Sequence, residues 1–112
     1  RIARNGDTAN KVGTFSHAVN AAHAGVPFYV AAPLSTFDPT IATGEAIEIE
    51  VRSPRELTQW RSEQTAPADA KTWNPAFDVT PGRLITALIT EVGVIEPPYD
   101  ETIPATLELA RR

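Results

Sequence analysis

Residues 8–32 read TANKVGTFSHAVNAAHAGVPFYVAA, and this stretch decides the fold class. Apolar residues recur at helical spacing in its first part, which predicts a helix from Thr8 to His23. Asp7 or Thr8 is placed to cap the first free N–H groups of that helix. Gly25 suits the left-handed position that follows a helix end. The expected buried stripe consists of Val12, Phe15, Val19 and Ala22.

The end of the same stretch predicts a buried strand. Residues 27–32, PFYVAA, form a short and continuous apolar run, which is typical of strands covered on both faces of a parallel sheet. A helix, a glycine turn and a buried strand together make half of a βαβ unit. We therefore predict an α/β fold in which the loop at 33–39 follows the carboxyl end of a strand, where such sheets bind ligands.

The middle of the chain predicts shorter elements. Residues 45–52, EAIEIEVR, alternate apolar and charged side chains and so predict a half-exposed strand. Ser53 and Pro54 start a short helix, with Glu56 in the position of a capping box. The polar and aperiodic stretch 59–71 predicts a loop.

The last third of the chain predicts a second long helix. Thr80 as the cap and Pro81 in the first helical position mark its start, and Gly93 marks its end. A short strand at 94–95 and a terminal helix or frayed tail at 105–112 follow. The expected buried face of this helix consists of Leu84, Ile85, Leu88, Ile89 and Val92.

The composition limits the classes of function. With 112 residues, 42% of them hydrophobic, the chain suits one small globular domain. No apolar run approaches the roughly 20 residues that span a bilayer, so we expect a soluble, cytoplasmic protein. The net charge of −4 and the lack of a basic stripe argue against nucleic-acid binding. Without cysteine, the chain holds neither a disulfide nor a thiolate metal site.

The first candidate site is the segment 5–11, NGDTANK, at the turn that opens the predicted first helix. A helix N-terminus attracts anions, Lys11 adds a positive charge, and Asn10 offers a donor and an acceptor to a hydroxyl group. This chemistry suits a phosphorylated sugar. From these residues alone, a capped helix with a solvated lysine is the favoured interpretation, and the chain has neither a GxxxxGK[ST] nor a GxGxxG motif.

A second candidate lies in the segment 74–81, NPAFDVTP, which two prolines stiffen. The loop either presents Asn74 or Asp78 to a ligand, or uses Asp78 to cap the next helix. His17 and His23 are six residues apart and lack the i,i+3 or i,i+4 spacing of a helical metal pair. We expect no metal and no cofactor.

Several long segments resemble, in order, the C-terminal part of methylthioribose-1-phosphate isomerases. The likeness covers almost the whole chain except 57–72 and the tail after Pro98. The segments are RIARNGDTANKVGTFSHAV (1–19), GVPFYVAAPLSTFD (25–38), TGEAIEIEVR (43–52) and WNPAFDVTPGRLITALITEVGVI (73–95), followed by a Pro-Pro pair.

The resemblance implies a Rossmann-like parallel sheet flanked by helices, forming the C-terminal portion of a larger domain. Residues 1–112 would be the C-terminal part of the Rossmann-like catalytic domain, with the N-terminal helical domain and the first half of the site outside this chain. The chain begins at Arg1 without an initiator methionine, which we interpret as the mark of a fragment.

The resemblance also implies an activity, the isomerisation of 5-methylthioribose 1-phosphate to 5-methylthioribulose 1-phosphate in methionine salvage. The family's substrate-binding Asn-Lys pair falls on Asn10 and Lys11. Its catalytic carboxylate would immediately precede Arg1, and its cysteine lies further upstream, so no catalytic residue is expected in this chain. The implied partners are the sugar phosphate, the upstream part of the same protein in one chain or as a separate chain, and a second copy in a homodimer. The 112-residue chain alone should be inactive.

Two related functions stay open. The wider family contains ribose-1,5-bisphosphate isomerases and the regulatory subunits of the eukaryotic translation-initiation exchange factor, which do not act as enzymes. The run AAPLSTFD at 31–38, with TGE at 43–45 and the step Asp7-Thr8-Ala9, looks like the methylthioribose branch.

Overall fold

The computed structural model describes residues 1–112 and has an α/β architecture. None of its helices has the length and apolar composition that crossing a lipid bilayer requires. The helices are α1 Thr14–Ala24, α2 Arg55–Thr58 and α3 Tyr99–Ala110. The strands are β1 Ile2–Ala3, β2 Thr8–Lys11, β3 Tyr29–Ala31, β4 Phe37–Asp38, β5 Gln59–Trp60, β6 Glu63–Gln64, β7 Phe77–Thr80, β8 Ala87–Thr90 and β9 Gly93–Ile95.

Two mixed sheets carry the fold. Sheet A has the strand order β4-β1-β2-β7, in which β1 runs parallel to β4 while β2 pairs antiparallel with β1 and β7. Sheet B has the order β3-β8-β9, with β3 parallel to β8 and β9 antiparallel to it. The predicted α/β class is confirmed. Both sheets also contain antiparallel pairs, because β1–β2 and β8–β9 are hairpins joined by short turns.

One hydrophobic cluster joins both sheets to helix α3. Each large side chain removed from water there contributes roughly 1.5–3 kcal/mol. Tyr99 Oη donates a 2.7 Å hydrogen bond to the Ile85 carbonyl oxygen, which satisfies the polar end of the buried ring. Burial, with a smaller effect of the Glu96 charge, raises the pKa of Tyr99 to about 12. The buried members of the cluster are Ile2, Phe37, Ile85, Leu88, Ile95, Tyr99 and Ile103.

The predicted helix from Thr8 to His23 is wrong in its first part. Residues Thr8–Lys11 form β2 instead, and each of them pairs with a residue of β7. Helix α1 begins at Thr14, after Gly13 in a left-handed conformation with φ of 107°. Pairing with a distant strand satisfies the backbone groups of the segment and so overrides the local helical pattern.

The expected apolar stripe of α1 is not buried within this chain. Val12, Phe15 and Val19 are 45%, 40% and 42% exposed, and Ala22 is exposed as well. The one buried residue of the helix is Ala18. The helical spacing was interpreted correctly from Thr14 onward, but the face that it marks has no cover from residues 1–112.

The turn and the strand after α1 are present where they were predicted. Gly25 has φ of 68°, and its N–H bonds to carbonyl oxygens of the last helical turn. Strand β3 lies within the predicted range 27–32. Its burial on both faces is not observed, because Tyr29 is 53% exposed and β3 pairs with β8 alone at the edge of sheet B.

The predicted helix from Thr80 to Gly93 is wrong. After a 3₁₀ turn at Gly82–Leu84 the chain forms β8, turns, and returns as β9. Strand β8 is the central strand of sheet B, where Leu88 pairs with Val30 on one side and Ile95 on the other. A short apolar run suits a helix or a strand equally well, and pairing on both sides decides between them.

Some of the shorter predicted elements are present and others are not. The short helix α2 and strand β9 are confirmed, and the terminal helix is α3, which begins earlier than predicted, at Tyr99. The predicted strand at 45–52 is wrong, because these residues lie outside the sheets and only Val51 pairs, in a single bridge with Pro75. The predicted loop 59–71 contains the β5–β6 hairpin.

Candidate functional site

The predicted ligand-binding pair, Asn10 and Lys11, forms the exposed carboxyl end of β2. In the register of β2 with β7, Asn10 lies opposite Asp78 and Lys11 lies opposite Phe77. Successive side chains of a strand leave on opposite faces of the sheet. A ligand that contacts both residues therefore lies across the end of the strand rather than on one face of sheet A.

The anion-binding helix start predicted at 5–11 is wrong, because the helix begins later and its N-terminus already holds a carboxylate. Asp78, on β7, accepts hydrogen bonds from the Gly13 and Phe15 backbone N–H groups at 2.7 and 3.1 Å. These N–H groups are among those that a helix N-terminus leaves unpaired. Asp78 thus caps the preceding helix α1, not a following one. We call this arrangement the Asp78 cap.

A hydroxyl group links the helix start to the candidate pair. Asn10 Nδ2 donates to Thr14 Oγ1 at 3.2 Å, and Thr14 Oγ1 donates to the Lys11 carbonyl oxygen at 2.7 Å. No protein group donates to Asn10 Oδ1, and Lys11 Nζ forms no ion pair. One acceptor and one positive charge are therefore free for a ligand at the end of β2.

Asp7 is neither a helix cap nor part of an anion site. Its carboxylate accepts hydrogen bonds from the backbone N–H of Gly44 at 2.9 Å, the backbone N–H of Gly82 at 2.8 Å and the Asn5 side-chain amide at 3.0 Å. Burial alone would raise the pKa of Asp7, but these hydrogen bonds outweigh it and hold the pKa below its usual range. We call these four residues the Asp7 junction.

The Asp7 junction requires close packing around two glycines. A Cβ atom on Gly82 would lie 2.7 Å from the Asn5 carbonyl oxygen, and one on Gly44 would lie 2.5 Å from a Val79 methyl group. Gly6, with φ of 89°, lies against the Tyr99 ring. The turn that connects β1 to β2 is thereby held between α3 and the 3₁₀ turns at Gly44–Ala46 and Gly82–Leu84.

An open cleft of about 630 Å³ lies on the face of sheet A that carries Ala9 and Phe77. Arg1 is its one basic residue, whereas three carboxylates line it: Asp38, Glu48 and Glu50. Like charges repel, so the cleft disfavours a phosphate group. No three His, Asp or Glu side chains of the chain come together as a set of metal ligands.

The other predicted candidates hold the structure together. The Asn74 amide donates to the Ser53 carbonyl oxygen and to Glu56 Oε2, both at 3.1 Å. The hydrogen bond from Arg52, the bond from Asn74 and the charge of Lys11 lower the pKa of Glu56. In the loop 33–39, the Leu34 backbone N–H donates to the carboxylate of Glu91, which follows β8.

A sequence model of the Initiation factor 2 subunit family matches residues 1–97. The chain belongs to this family. It is 63% identical over 107 residues to a methylthioribose-1-phosphate isomerase of Exiguobacterium sibiricum, covering 96% of this chain and 31% of the relative. It is 59% identical over 109 residues to the methylthioribose-1-phosphate isomerase of Thermotoga maritima, covering 97% of this chain and 32% of the relative.

Two solved structures share the fold. A 5-methylthioribose 1-phosphate isomerase from Pyrococcus horikoshii superposes with a TM-score of 0.91 at 44% identity, over 97% of this chain and 30% of its own. The translation initiation factor eIF-2B subunit delta from A. fulgidus superposes with a TM-score of 0.88 at 47% identity, over 96% of this chain and 31% of its own. The chain therefore spans about a third of the length of the relatives that it matches.

Proposed function

We propose that this chain is the C-terminal third of a methylthioribose-1-phosphate isomerase, which converts 5-methylthioribose 1-phosphate to 5-methylthioribulose 1-phosphate in methionine salvage. The observation that carries the proposal is the identity of 54–63% with eight curated relatives that bear this enzyme's name. The two free groups at the end of β2 support it, because a sugar phosphate offers hydroxyl groups and negative charge.

In this proposal Asn10 and Lys11 bind the substrate. Asn10 Oδ1 accepts a hydrogen bond from a sugar hydroxyl group, and Lys11 stabilises charge on an oxygen atom as the reaction proceeds. The ring must open and hydrogen must move from C2 to C1, which needs an acid and a base placed at the sugar. A carboxylate immediately before Arg1 and an upstream cysteine supply these roles.

By the register of β1 with β2, a residue that precedes Arg1 in the same strand would lie beside Asn10. Arg1 and Ala9 lie opposite each other, joined by backbone hydrogen bonds of 3.2 and 2.9 Å. One step further along this antiparallel pair, the residue preceding Arg1 would lie opposite Asn10. Directly opposite residues share a face with Cβ atoms roughly 4.5–5.5 Å apart. A carboxylate there would contact the same ligand as Asn10.

The exposed stripe of α1 supports an origin in a larger domain. Phe15 and Val19 share one side of α1, Val12 lies just before the helix, and all three side chains are exposed. Large apolar side chains exposed close together in the chain are typical of interfaces. In the proposal the upstream part of the Rossmann-like domain covers this surface, an N-terminal helical domain precedes it, and the intact enzyme is a cytoplasmic homodimer.

The decisive experiment measures conversion of 5-methylthioribose 1-phosphate by the intact protein. The two lysines of the chain form a matched pair, since both are exposed and only Lys11 lies at the end of β2. Lys11→Ala should lower kcat/KM by about a hundredfold or more, as the removal of a charge-stabilising donor does elsewhere. Lys71→Ala should leave kcat/KM unchanged. Equal effects of the two substitutions would remove Lys11 from the site.

A second candidate is a non-catalytic regulatory subunit, favoured by the 47% identity with the eIF-2B delta subunit of A. fulgidus. The residue before Arg1 discriminates: aspartate there, with a cysteine upstream, favours the enzyme, and other residues favour the regulator. Activity as a ribose-1,5-bisphosphate isomerase is tested by comparing ribose 1,5-bisphosphate with 5-methylthioribose 1-phosphate. The first substrate carries a second phosphate group at C5, where the second carries an apolar methylthio group.

A further inference from the structure

We propose that Asp78 is a positioning residue for substrate binding, which acts through Thr14 to orient Asn10. This inference rests on the proposed function and concerns the same site. Asp78 itself stays bound to the helix start and does not contact the substrate. Its place in the middle of β7, beside Asn10 in the register, makes it the point from which the end of β2 is held.

The Asp78 cap fixes the two residues that flank Thr14. The Gly13 N–H and the Phe15 N–H both point at the carboxylate, with separations along the chain of 65 and 63 residues. Hydrogen bonds from two alternate backbone groups to two oxygens of one carboxylate leave the peptide between them little freedom to rotate. Thr14 is therefore held at a defined distance from β7.

Thr14 passes this constraint to Asn10. Its hydroxyl group accepts from the Asn10 side-chain amide at 3.2 Å and donates to the Lys11 carbonyl oxygen at 2.7 Å. The bond from Asn10 Nδ2 limits the rotation of the amide, and no protein group donates to Asn10 Oδ1. That oxygen atom is the acceptor that the proposal assigns to a sugar hydroxyl group.

The conformation of Gly13 belongs to the same device. Its φ is 107°, an angle that residues with a side chain rarely adopt, and its N–H bonds to Asp78 on β7. Nothing lies within 4 Å of where a Cβ atom would be, so space is not the reason for glycine. Glycine is favoured because of the backbone direction at this residue, which accompanies the hydrogen bond from the Gly13 N–H to Asp78.

The Asp78 cap also defines which part of the substrate this end of the molecule recognises. A free helix N-terminus would attract the phosphate group. Here a carboxylate fills that position and its negative charge opposes a second anion nearby. The face of sheet A that carries Asn10 and Asp78 therefore suits a hydroxyl group of the sugar better than its phosphate group.

The test compares Asp78→Asn and Asn10→Ala, alone and together, in the intact protein with 5-methylthioribose 1-phosphate. Asp78→Asn keeps the shape but loses one acceptor, so kcat/KM should fall about tenfold to a hundredfold, mainly through KM, as misplacement of a binding group does. If Asp78 acts through Asn10, the double variant should be no worse than Asn10→Ala. If the losses in kcat/KM of the two single variants multiply in the double variant, Asp78 acts independently of Asn10. That result would overturn the inference.

A second pair of variants keeps the test decisive if Asp78→Asn fails to fold. Thr14→Val and Thr102→Val each remove a hydroxyl group that donates to a backbone carbonyl oxygen, at 2.7 and 2.6 Å. Thr14→Val should raise KM about tenfold, since it releases Asn10. Thr102→Val, at the start of α3, should leave KM unchanged. Equal KM values for Thr14→Val and wild type would overturn the inference.

The wild-type measurement separates the two levels of failure. An intact wild-type protein without isomerase activity refutes the proposed function, and the role of Asp78 falls with it. An active wild-type protein whose Asp78→Asn variant keeps its KM refutes only the positioning role.

Discussion

The Asp7 junction and the Asp78 cap use the same chemistry in different surroundings. In each, a carboxylate accepts hydrogen bonds from two backbone N–H groups in distant parts of the chain. The donors to Asp7 come from two separate 3₁₀ turns packed where no Cβ atom fits, whereas the donors to Asp78 come from one exposed helix start. Two backbone hydrogen bonds thus join three distant segments at Asp7, whereas at Asp78 two such bonds join one strand to one helix start.

The largest effect should come from filling space beside the Asp7 junction. Gly6→Ala places a methyl group 2.5 Å from the Tyr99 ring at a φ of 89°. Overpacking and left-handed strain together should lower the free energy of unfolding by about 2–5 kcal/mol. Gly25→Ala is the control, since its φ is 68° but nothing lies within 4 Å; it should cost about 1–2 kcal/mol. Equal losses in urea unfolding would contradict the packing argument.

The next largest effect should come from Asp7→Asn, which removes an acceptor from the junction. The loss should be about 1–2 kcal/mol at neutral pH, since one partly buried N–H group loses its partner. The measurement is the unfolding midpoint in urea. A loss no larger than that of an exposed substitution such as Asp100→Asn would show that the junction closes without the charge.

The pH dependence sharpens the same prediction. The folded pKa of Asp7 lies below its ordinary value of 3.8, so its stabilising contribution is complete above that value and disappears as the pH falls through the folded pKa. Wild type should therefore lose more stability between about pH 5 and pH 2.5 than Asp7→Asn does. Identical acid profiles would show that Asp7 contributes nothing to acid unfolding.

The smallest stability effect should come from Asp78→Asn. An exposed helix cap contributes about 0.5–1 kcal/mol, less than the junction. If the two carboxylates differ as proposed, Asp78→Asn affects KM more than stability, and Asp7→Asn affects stability more. A loss of stability at Asp78 that exceeds the loss at Asp7 would reverse the comparison.

Residue types and local spacing predicted much of the architecture. The turn at 5–7, the end of α1 at Gly25, strand β3 and the terminal helix are all determined by glycine, proline or apolar runs within a few residues. The α/β class followed from their order. Asn10 and Lys11, predicted in the first turn of a helix, lie instead at the carboxyl end of strand β2.

The errors arise where distant pairing decides. Thr8–Lys11 and Ala87–Thr90 each carry a pattern compatible with a helix, and each becomes a strand because a partner lies elsewhere in the chain. Asp78 was expected to hold a ligand or cap the next helix, but its donors lie more than 60 residues earlier. No local pattern encodes such a pairing.

The Asp7 junction also limits when this part of the chain can fold during protein synthesis. Asp7 is bonded to Gly82, 75 residues later, so the hairpin that carries Asn10 cannot be fixed until that glycine has left the ribosome. Contacts of such long range form slowly. The end of β2 that the proposal assigns to the substrate is therefore translated well before the glycine that completes its support.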